Sequence, residues 1–191
     1  MTAADAVLLV GGHAGTGKTT LASNLRQSAG ALVLSNRAVR EELGADGRLN
    51  DDGQLGLVHR MAAQRLEQAI GAYHGVVVHD STKLQRPGMD DPILDTARRT
   101  CAATGRRLLK VCLTAAPEVL RGRLEERSHQ PGRSEQQRQA DLYLLHTEFD
   151  RMLASSCVGS GWHVIDTSRV SARDVHDLVW KLIIGTGEDG Q

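Results

Sequence analysis

A run of small and charged residues near the start of the chain has the types and spacing of a phosphate-binding loop. Residues 11–20 read GGHAGTGKTT, and the segment from Gly12 to Thr19 fits the P-loop pattern G-x-x-x-x-G-K-[ST]. Glycines let successive backbone N–H groups turn toward phosphate oxygens, and a following helix N-terminus adds a field that favours anions. Lys18 is predicted to reach the β- and γ-phosphates of ATP, and the Thr19 hydroxyl to ligate Mg²⁺. The predicted ATP-binding residues of this loop are Gly12, His13, Ala14, Gly15, Thr16, Gly17, Lys18, Thr19 and Thr20.

Asp80 ends the apolar run 75–80, which reads GVVVHD. A carboxylate at the end of a buried strand can hold Mg²⁺ or accept a proton from a hydroxyl, so Asp80 is predicted to be catalytic, as the base or the metal anchor. The alternative is that Asp80 only caps a helix or forms a turn. His79 is interpreted as the flank of the strand end, and His13 either faces the γ-phosphate or is simply exposed.

Arginines recur in two regions that follow apolar runs. Arg37 and Arg40 lie three positions apart, so a helix would place them on one face, where they are predicted with Arg86 to bind a polar or anionic acceptor. Arg123 and Arg127 are predicted to stabilise charge on the transferring phosphoryl group when the site closes. The alternative for any one of them is an exposed helix of alternating Arg and Glu.

The apolar runs and the helical stretches between them predict the elements that position these residues. The predicted strands are 6–11, 31–35, 75–80, 107–113 and 162–166. The predicted helices are 18–28, about 37–43, 54–73, about 90–104, 117–128, 134–155 and 172–184. Buried strands that alternate with helices indicate an α/β fold whose parallel sheet is covered on both faces. Ligands of such sheets bind beyond the carboxyl ends of the strands, which is where the candidate residues lie.

The chain is expected to form one domain over residues 1–184. Its acceptor region is expected at about 36–73, and a small lid at about 127–136. The polar loop 44–53 borders the acceptor region, and the glycine-rich tail 185–191 is predicted to be disordered.

Bulk composition narrows the class of protein. The 191 residues have zero formal net charge and 3% aromatic residues, which argues against a nucleic-acid coat or a binder of anionic membranes. Nineteen of the cationic residues are Arg and four are Lys. The three cysteines lack metal-ligand spacing, and their odd number fits a reducing cytoplasm. The first apolar run is too short to span a membrane, so a cytoplasmic protein is expected.

These motifs resemble the small P-loop kinases of the adenylate-kinase and gluconate-kinase type. The likeness covers residues 6 to about 184, and it is closest to the predicted ATP-binding kinases, which are similar to chloramphenicol phosphotransferase, zeta toxin and polynucleotide kinase. The resemblance implies a three-layer fold with a five-stranded parallel sheet of order 2-3-1-4-5 and a lid that closes over ATP. It also implies that Arg123 lies near the adenine or the phosphates, Arg127 near the phosphates, and residues 166–168 beside the adenine.

The chain departs from this family pattern in the stretch SNRAVREEL, residues 35–43. Many relatives carry an Asp three positions before the arginine that matches Arg40, and in several of them it accepts the substrate's hydroxyl proton. Here that position is Arg37, preceded by Asn36. The usual base is therefore absent, and the search for one moves to Asp80 or, failing that, to residues 51–52.

Three functions stay open at this point. The first is an ATP-dependent phosphotransferase that acts on a hydroxyl of a small molecule, such as an antibiotic, a nucleoside or a sugar. The second is a nucleotide or polynucleotide kinase, and the third is a non-catalytic ATP-binding regulator, which the missing Asp motivates. A GTPase is disfavoured because the chain lacks N-K-x-D, and an AAA+ motor because no glutamate follows Asp80.

Overall fold

The protein has a five-stranded parallel sheet with the strand order β2-β3-β1-β4-β5. The structure, a computed structural model, describes residues 5–44, 52–80, 91–132, 134–154 and 161–185. The predicted fold class and strand order are thus confirmed.

All five predicted strands are present, and they alternate with helices. The strands are β1 Ala6–Gly12, β2 Leu32–Ser35, β3 Val77–Asp80, β4 Arg107–Thr114 and β5 His163–Asp166. The helices are α1 Lys18–Ala29, α2 Asn36–Glu42, α3 Asp52–Ala72, α4 Pro92–Thr104, α5 Pro117–Ser128, α6 Glu135–Tyr143, α7 Phe149–Ala154 and α8 Ala172–Ile184. Most boundaries differ from the sequence-based ranges by one or two residues, as is usual where helices and strands fray.

Two apolar layers cover the sheet. One face packs against α1 and α8 through residues such as Leu8, Leu25 and Val179. The other face packs against α2, α3 and α4 through residues such as Val7 and Leu66. Strand β1 is buried along its whole length because it is central and has helices on both sides.

The predicted helix 134–155 is interrupted. A π-helical turn, Leu144–Glu148, separates α6 from α7. Asp141, Leu145 and Phe149 are all buried and are spaced by four residues. Four α-helical residues rotate roughly 40° beyond one full turn. A π turn rotates less per residue, so it offsets this drift and keeps the three side chains on one side.

Helix α5, the π-helical turn and α7 share a small apolar cluster of their own, formed by Leu120, Leu124, Leu145 and Phe149. Ala14 of the P-loop packs against this cluster. The group of helices is therefore joined directly to the predicted phosphate-binding loop.

Arg106 lies at the opposite edge of the sheet, where the strands begin. Its guanidinium donates hydrogen bonds to the backbone carbonyls of Ile70 at 2.9 Å, Tyr73 at 2.7 Å and Ala6 at 3.4 Å, and also to that of Gly75. One side chain thereby joins the end of α3 to the starts of β1 and β3.

Several expectations concern residues outside the part of the chain that the structure describes. The predicted disorder of residues 186–191 lies there, as do most of the loop 44–53 and the residues Arg86 and Cys157. Cys101 and Cys112 are buried free thiols. None of the described helices is long and apolar enough to cross a membrane.

Candidate active site

The P-loop connects the carboxyl end of β1 to the first turn of α1. Gly12 has φ +139°, and a Cβ there would lie 2.3 Å from the carbonyl oxygen of Leu113, so a larger residue cannot take this path. Gly17 precedes α1 with φ +94° and provides no side-chain cap for the helix. The free N–H groups of the first helical turn therefore point toward the loop, where an anion can accept their hydrogen bonds.

Lys18 lies inside this loop and contacts it directly. Its Nζ donates a 2.7 Å hydrogen bond to the carbonyl oxygen of His13, which also accepts a 2.8 Å bond from the Thr16 hydroxyl. Burial lowers the pKa of Lys18 to about 8, with Asp80 opposing the shift and Arg127 adding to it. The pKa of His13 is also lowered, first by burial and then by the Lys18 charge.

Thr19 and Asp80 meet where β1 and β3 end. The Thr19 hydroxyl donates a 2.9 Å hydrogen bond to Oδ2 of Asp80. Two hard oxygen ligands side by side, one of them a carboxylate, fit Mg²⁺, which takes its remaining ligands from nucleotide phosphates and water. Within the described residues no group of three or more His, Cys, Asp or Glu could hold a metal, so the fit is to a metal shared with a nucleotide rather than to an all-protein site.

Arg123 ties the P-loop to the segment that follows β5. Its guanidinium donates to the carbonyl oxygen of Gly15 at 3.2 Å, to the Thr167 hydroxyl at 3.0 Å and to the Thr167 carbonyl oxygen at 2.7 Å. The Thr167 hydroxyl in turn has two possible acceptors for its single proton, the carbonyl oxygens of Thr114 at 2.9 Å and Thr16 at 3.2 Å. The structure thus places Arg123 between the loop and the start of the β5–α8 connection.

Arg127 lies one helical turn further along α5. Its guanidinium makes a two-pronged ion pair with Asp141 of α6, a carboxylate whose side chain is 7% exposed. The pair fixes Arg127 near Lys18 and links α5 to α6. Arg127 and Ser128 belong to α5 and Glu135 belongs to α6, so the connection expected as a lid is shorter than residues 127–136.

A cavity of about 280 Å³ opens beside the P-loop. It is lined by apolar side chains from three elements and by the polar residues Arg123 and Thr167. The apolar lining residues include Leu21, Leu113, Val170 and Val175. Sequence reasoning singled out residues 166–168 but missed Val170 and Val175, because an apolar residue at the start of a helix looks like any core position.

The acceptor-side arginines occupy different environments. Arg37 is 61% exposed at its side chain and pairs with Glu41 at 2.7 Å on the outer face of α2. Arg40 is half-buried, which lowers its pKa, and its Nε has no hydrogen-bond partner in the described part of the chain. Ser35 caps α2, since its hydroxyl accepts from the N–H of Ala38 at 3.1 Å.

Two further polar residues lie on this side of the site and were not predicted as functional. Asn36 is 3% exposed and His79 is 0% exposed. The sequence gives little signal for either residue, because burial of a polar side chain is decided by the elements packed around it.

Comparison with known proteins agrees with this geometry. The family model described as AAA domain matches residues 7–152. None of the curated proteins compared with the chain matches it.

Solved structures share the fold at low sequence identity. A sugar kinase from Janibacter sp. HTCC2649 is 19% identical with a TM-score of 0.60, over 95% of this chain and 96% of that one. Shikimate kinase from Acinetobacter baumannii is 18% identical with a TM-score of 0.53, over 96% of each chain. The tunicamycin resistance protein of Deinococcus radiodurans is 17% identical with a TM-score of 0.57, over 94% of this chain and 95% of that one.

The sequence argument against an AAA+ motor still applies after this match, because Asp80 is followed by serine and not by glutamate. That expectation stays a prediction. The match over most of the chain, the strand order and the P-loop geometry lead to one assignment: the chain belongs to this AAA domain family and has the P-loop kinase fold.

Proposed function

We propose that the protein is an ATP-dependent kinase that transfers the γ-phosphate of ATP to a hydroxyl of a small-molecule acceptor. The observation that carries this proposal is the 2.9 Å contact between the Thr19 hydroxyl and Asp80, directly beside Lys18. A loop that binds only phosphate has no need of a carboxylate at the end of the neighbouring strand. A site that binds a triphosphate with its metal does need one.

Each residue has a defined part in the proposed reaction. The backbone N–H groups at the start of α1 bind the phosphates, and Lys18 exchanges its bond to the His13 carbonyl for one to the β- and γ-phosphates. Thr19 and Asp80 would hold Mg²⁺, which would supply neutralisation of charge on the nucleotide phosphates. Arg127, kept in place by Asp141, stabilises charge on the transferring group.

The position of Asp80 favours its role as a metal anchor over that of a general base, because its Oδ2 already accepts from Thr19. A loose phosphoryl transition state depends mainly on positioning and electrostatics, so the reaction does not require a dedicated carboxylate base. The cavity beside Thr167 and Val170 is proposed to take the nucleobase. The kinases of similar fold support the proposed kinase activity, and they leave the identity of the acceptor open.

The test is acceptor-dependent formation of ADP across a panel of sugars, nucleosides, nucleotides and antibiotics. Lys18→Ala should abolish turnover, and Asp80→Asn should lower kcat by a factor of roughly 10² or more. Asp150→Asn, at an exposed carboxylate of α7, is the matched control and should behave as wild type.

Two results would contradict the proposal. Turnover that survives Lys18→Ala would remove the P-loop from the reaction. Tight nucleotide binding without ADP formation from any acceptor would instead support a non-catalytic nucleotide-binding protein.

A further inference from the structure

Three polar side chains near the carboxyl ends of β2 and β3 have buried hydrogen-bonding atoms for which the described part of the chain supplies no partner. Both ring nitrogens of His79, both amide atoms of Asn36 and Nε of Arg40 are buried without a hydrogen-bond partner among the described residues. His79 is 0% exposed and Asn36 is 3% exposed. We call these three residues the α2–β3 polar cluster.

The register of the sheet brings His79 and Asn36 together. His79 of β3 pairs with Leu34 of β2, two residues before Asn36. Leu34 and Val77 pack in the core between the sheet and α3, and side chains two apart on a strand face the same side, so His79 faces α3 as well.

Helix α2 adds the other two members of the cluster. Asn36 and Arg40 are one turn apart, and Val39 between them is buried in the same core. Their face of α2 is therefore the face that turns toward α3 and the end of β3. Asp80 lies on the opposite side of its strand, where it contacts Thr19.

Leaving these atoms unpaired is costly for the folded protein. A buried polar group without a partner destabilises a protein by roughly 1–3 kcal/mol, and natural proteins rarely keep several of them together. Sites that bind a ligand are the usual exception, because the ligand supplies the missing partners.

The chemistry of the cluster indicates what the ligand must offer. A neutral imidazole offers one donor and one acceptor, and an amide side chain offers both as well. Hydroxyl groups both donate and accept, so two or more of them match this pair of side chains.

Arg40 adds a charge to the cluster. Two neighbouring arginines have ion-pair partners: Arg37 pairs with Glu41, and Arg65 pairs with Glu42. No ion pair of Arg40 is found in the described part of the chain, and burial already disfavours its charge. A half-buried guanidinium without a counter-ion is matched by an anionic group on the ligand.

We propose that Asn36, His79 and Arg40 form the acceptor subsite, which binds a polyol carrying one carboxylate or phosphate group. Asn36 and His79 bind adjacent hydroxyls, and Arg40 binds the anion. This inference rests on the proposed kinase function and names its substrate class. It keeps Arg40, which the sequence pattern also indicated, and replaces the exposed Arg37 with Asn36 and His79, which the pattern did not indicate.

The experiment compares three acceptors that differ in one feature. D-gluconate carries hydroxyls and a carboxylate, D-glucose 6-phosphate carries hydroxyls and a phosphate, and D-glucose is neutral. We expect at least one of the two anions to stimulate ADP formation more than D-glucose, and the better one identifies the anionic group. Stimulation by neither anion overturns the inference.

Substitutions in the α2–β3 polar cluster distinguish a role in acceptor binding from a purely structural role. His79→Leu and Asn36→Leu should each raise the acceptor KM about tenfold or more, because a site built for hydroxyls loses its partners, while the Kd for ATP changes far less. In the absence of acceptor both variants should unfold at a higher temperature than wild type, since unpaired polar atoms have been removed. Gln64→Leu, at an exposed position of α3, is the control for added apolar surface.

The outcomes distinguish the two proposals. Lower unfolding temperatures with an unchanged acceptor KM would show that the cluster is structural. Lys18-dependent transfer to a nucleoside or an antibiotic, unaffected by both variants, would leave the kinase in place and overturn the subsite. If the wild-type protein shows no Lys18-dependent turnover with any acceptor, the proposed kinase function itself is overturned.

A measurement on the wild-type protein covers the case in which a variant does not fold. The imidazole ¹⁵N shifts of His79 should move when the stimulating anion is added to the ADP-bound protein, because both ring nitrogens gain partners. Unchanged shifts at saturating acceptor would overturn the role of His79.

Discussion

Lys18 forms a hydrogen bond to the backbone of the P-loop. Its Nζ donates to the His13 carbonyl at 2.7 Å, and burial with the nearby Arg127 charge lowers its pKa to about 8. Since the pKa in the folded state is below the ordinary value of 10.5, the unfolded chain binds more protons between about pH 8 and 10.5. The contribution of Lys18 to stability therefore rises with pH across that window, and below about pH 8 its full destabilising effect is present.

Nucleotide binding should reverse this shift. The phosphates favour the charged amine, so ATP binding at pH 9 should be accompanied by uptake of a proton, and the Kd for ATP should increase as the pH rises above about 8. Calorimetric titrations in two buffers of different ionisation enthalpy measure the uptake directly. A binding enthalpy that is independent of the buffer at pH 9 would contradict the assigned pKa of Lys18.

Some residues of the candidate site could be predicted from the sequence, and others could not. The P-loop was predicted because each position has a fixed chemical reason, and the structure brings Lys18, Thr19 and Asp80 together as those reasons require. Asn36 and His79 were not predicted, because a buried polar residue is recognised only by the partners that it lacks. That information exists only after α2, α3 and β3 have packed.

Helix α5 connects the nucleotide side of the site to the helices beyond it. Its Arg123 joins the P-loop to Thr167, and its Arg127 joins the same region to Asp141 of α6. The sequence predicted this helix and the importance of both arginines, but an exposed Arg/Glu helix would have had the same pattern. The difference lies in Asp141, a buried carboxylate that pairs with Arg127, and its burial was not visible in the sequence.

Arg123→Ala should weaken both the fold and the binding of nucleotide. Three hydrogen bonds from a charged group are lost, so the free energy of unfolding should fall by about 1.5–3 kcal/mol and the Kd for ATP should rise about tenfold. Denaturant unfolding and a fluorescent nucleotide analogue measure these quantities. Arg138→Ala, which breaks an exposed pair with Glu135 on α6, is the control and should change stability by less than about 1 kcal/mol. Equal effects of the two substitutions would contradict the bridging role.

For the whole molecule, the pattern of apolar strands and amphipathic helices was sufficient to predict an α/β fold with a parallel sheet covered on both faces. The strand order came instead from the resemblance to small P-loop kinases, because the apolar pattern does not say which strands are neighbours. Loop geometry was not predictable to the same degree. The length of the connection between α5 and α6 depends on where α5 ends and where α6 begins. The capping box of Ser134 and Gln137 sets the first residue of α6.

Arg106→Ala tests how much the amino edge of the sheet contributes to stability. Its hydrogen bonds to the carbonyl oxygens of Ile70, Tyr73, Gly75 and Ala6 are lost together, so the free energy of unfolding should fall by roughly 3 kcal/mol. The Kd for ATP should be unchanged because the site lies at the other edge. Arg98→Ala, which breaks an exposed pair with Asp95, is the control. A larger effect on nucleotide binding than on stability would contradict this separation.

The position of Arg106 has a consequence for how this protein can change over evolutionary time. One side chain connects segments that are far apart in sequence, at the edge of the sheet opposite the P-loop. Changes in the loops at the carboxyl edge do not touch these hydrogen bonds, so we expect the fold to tolerate insertions and substitutions there.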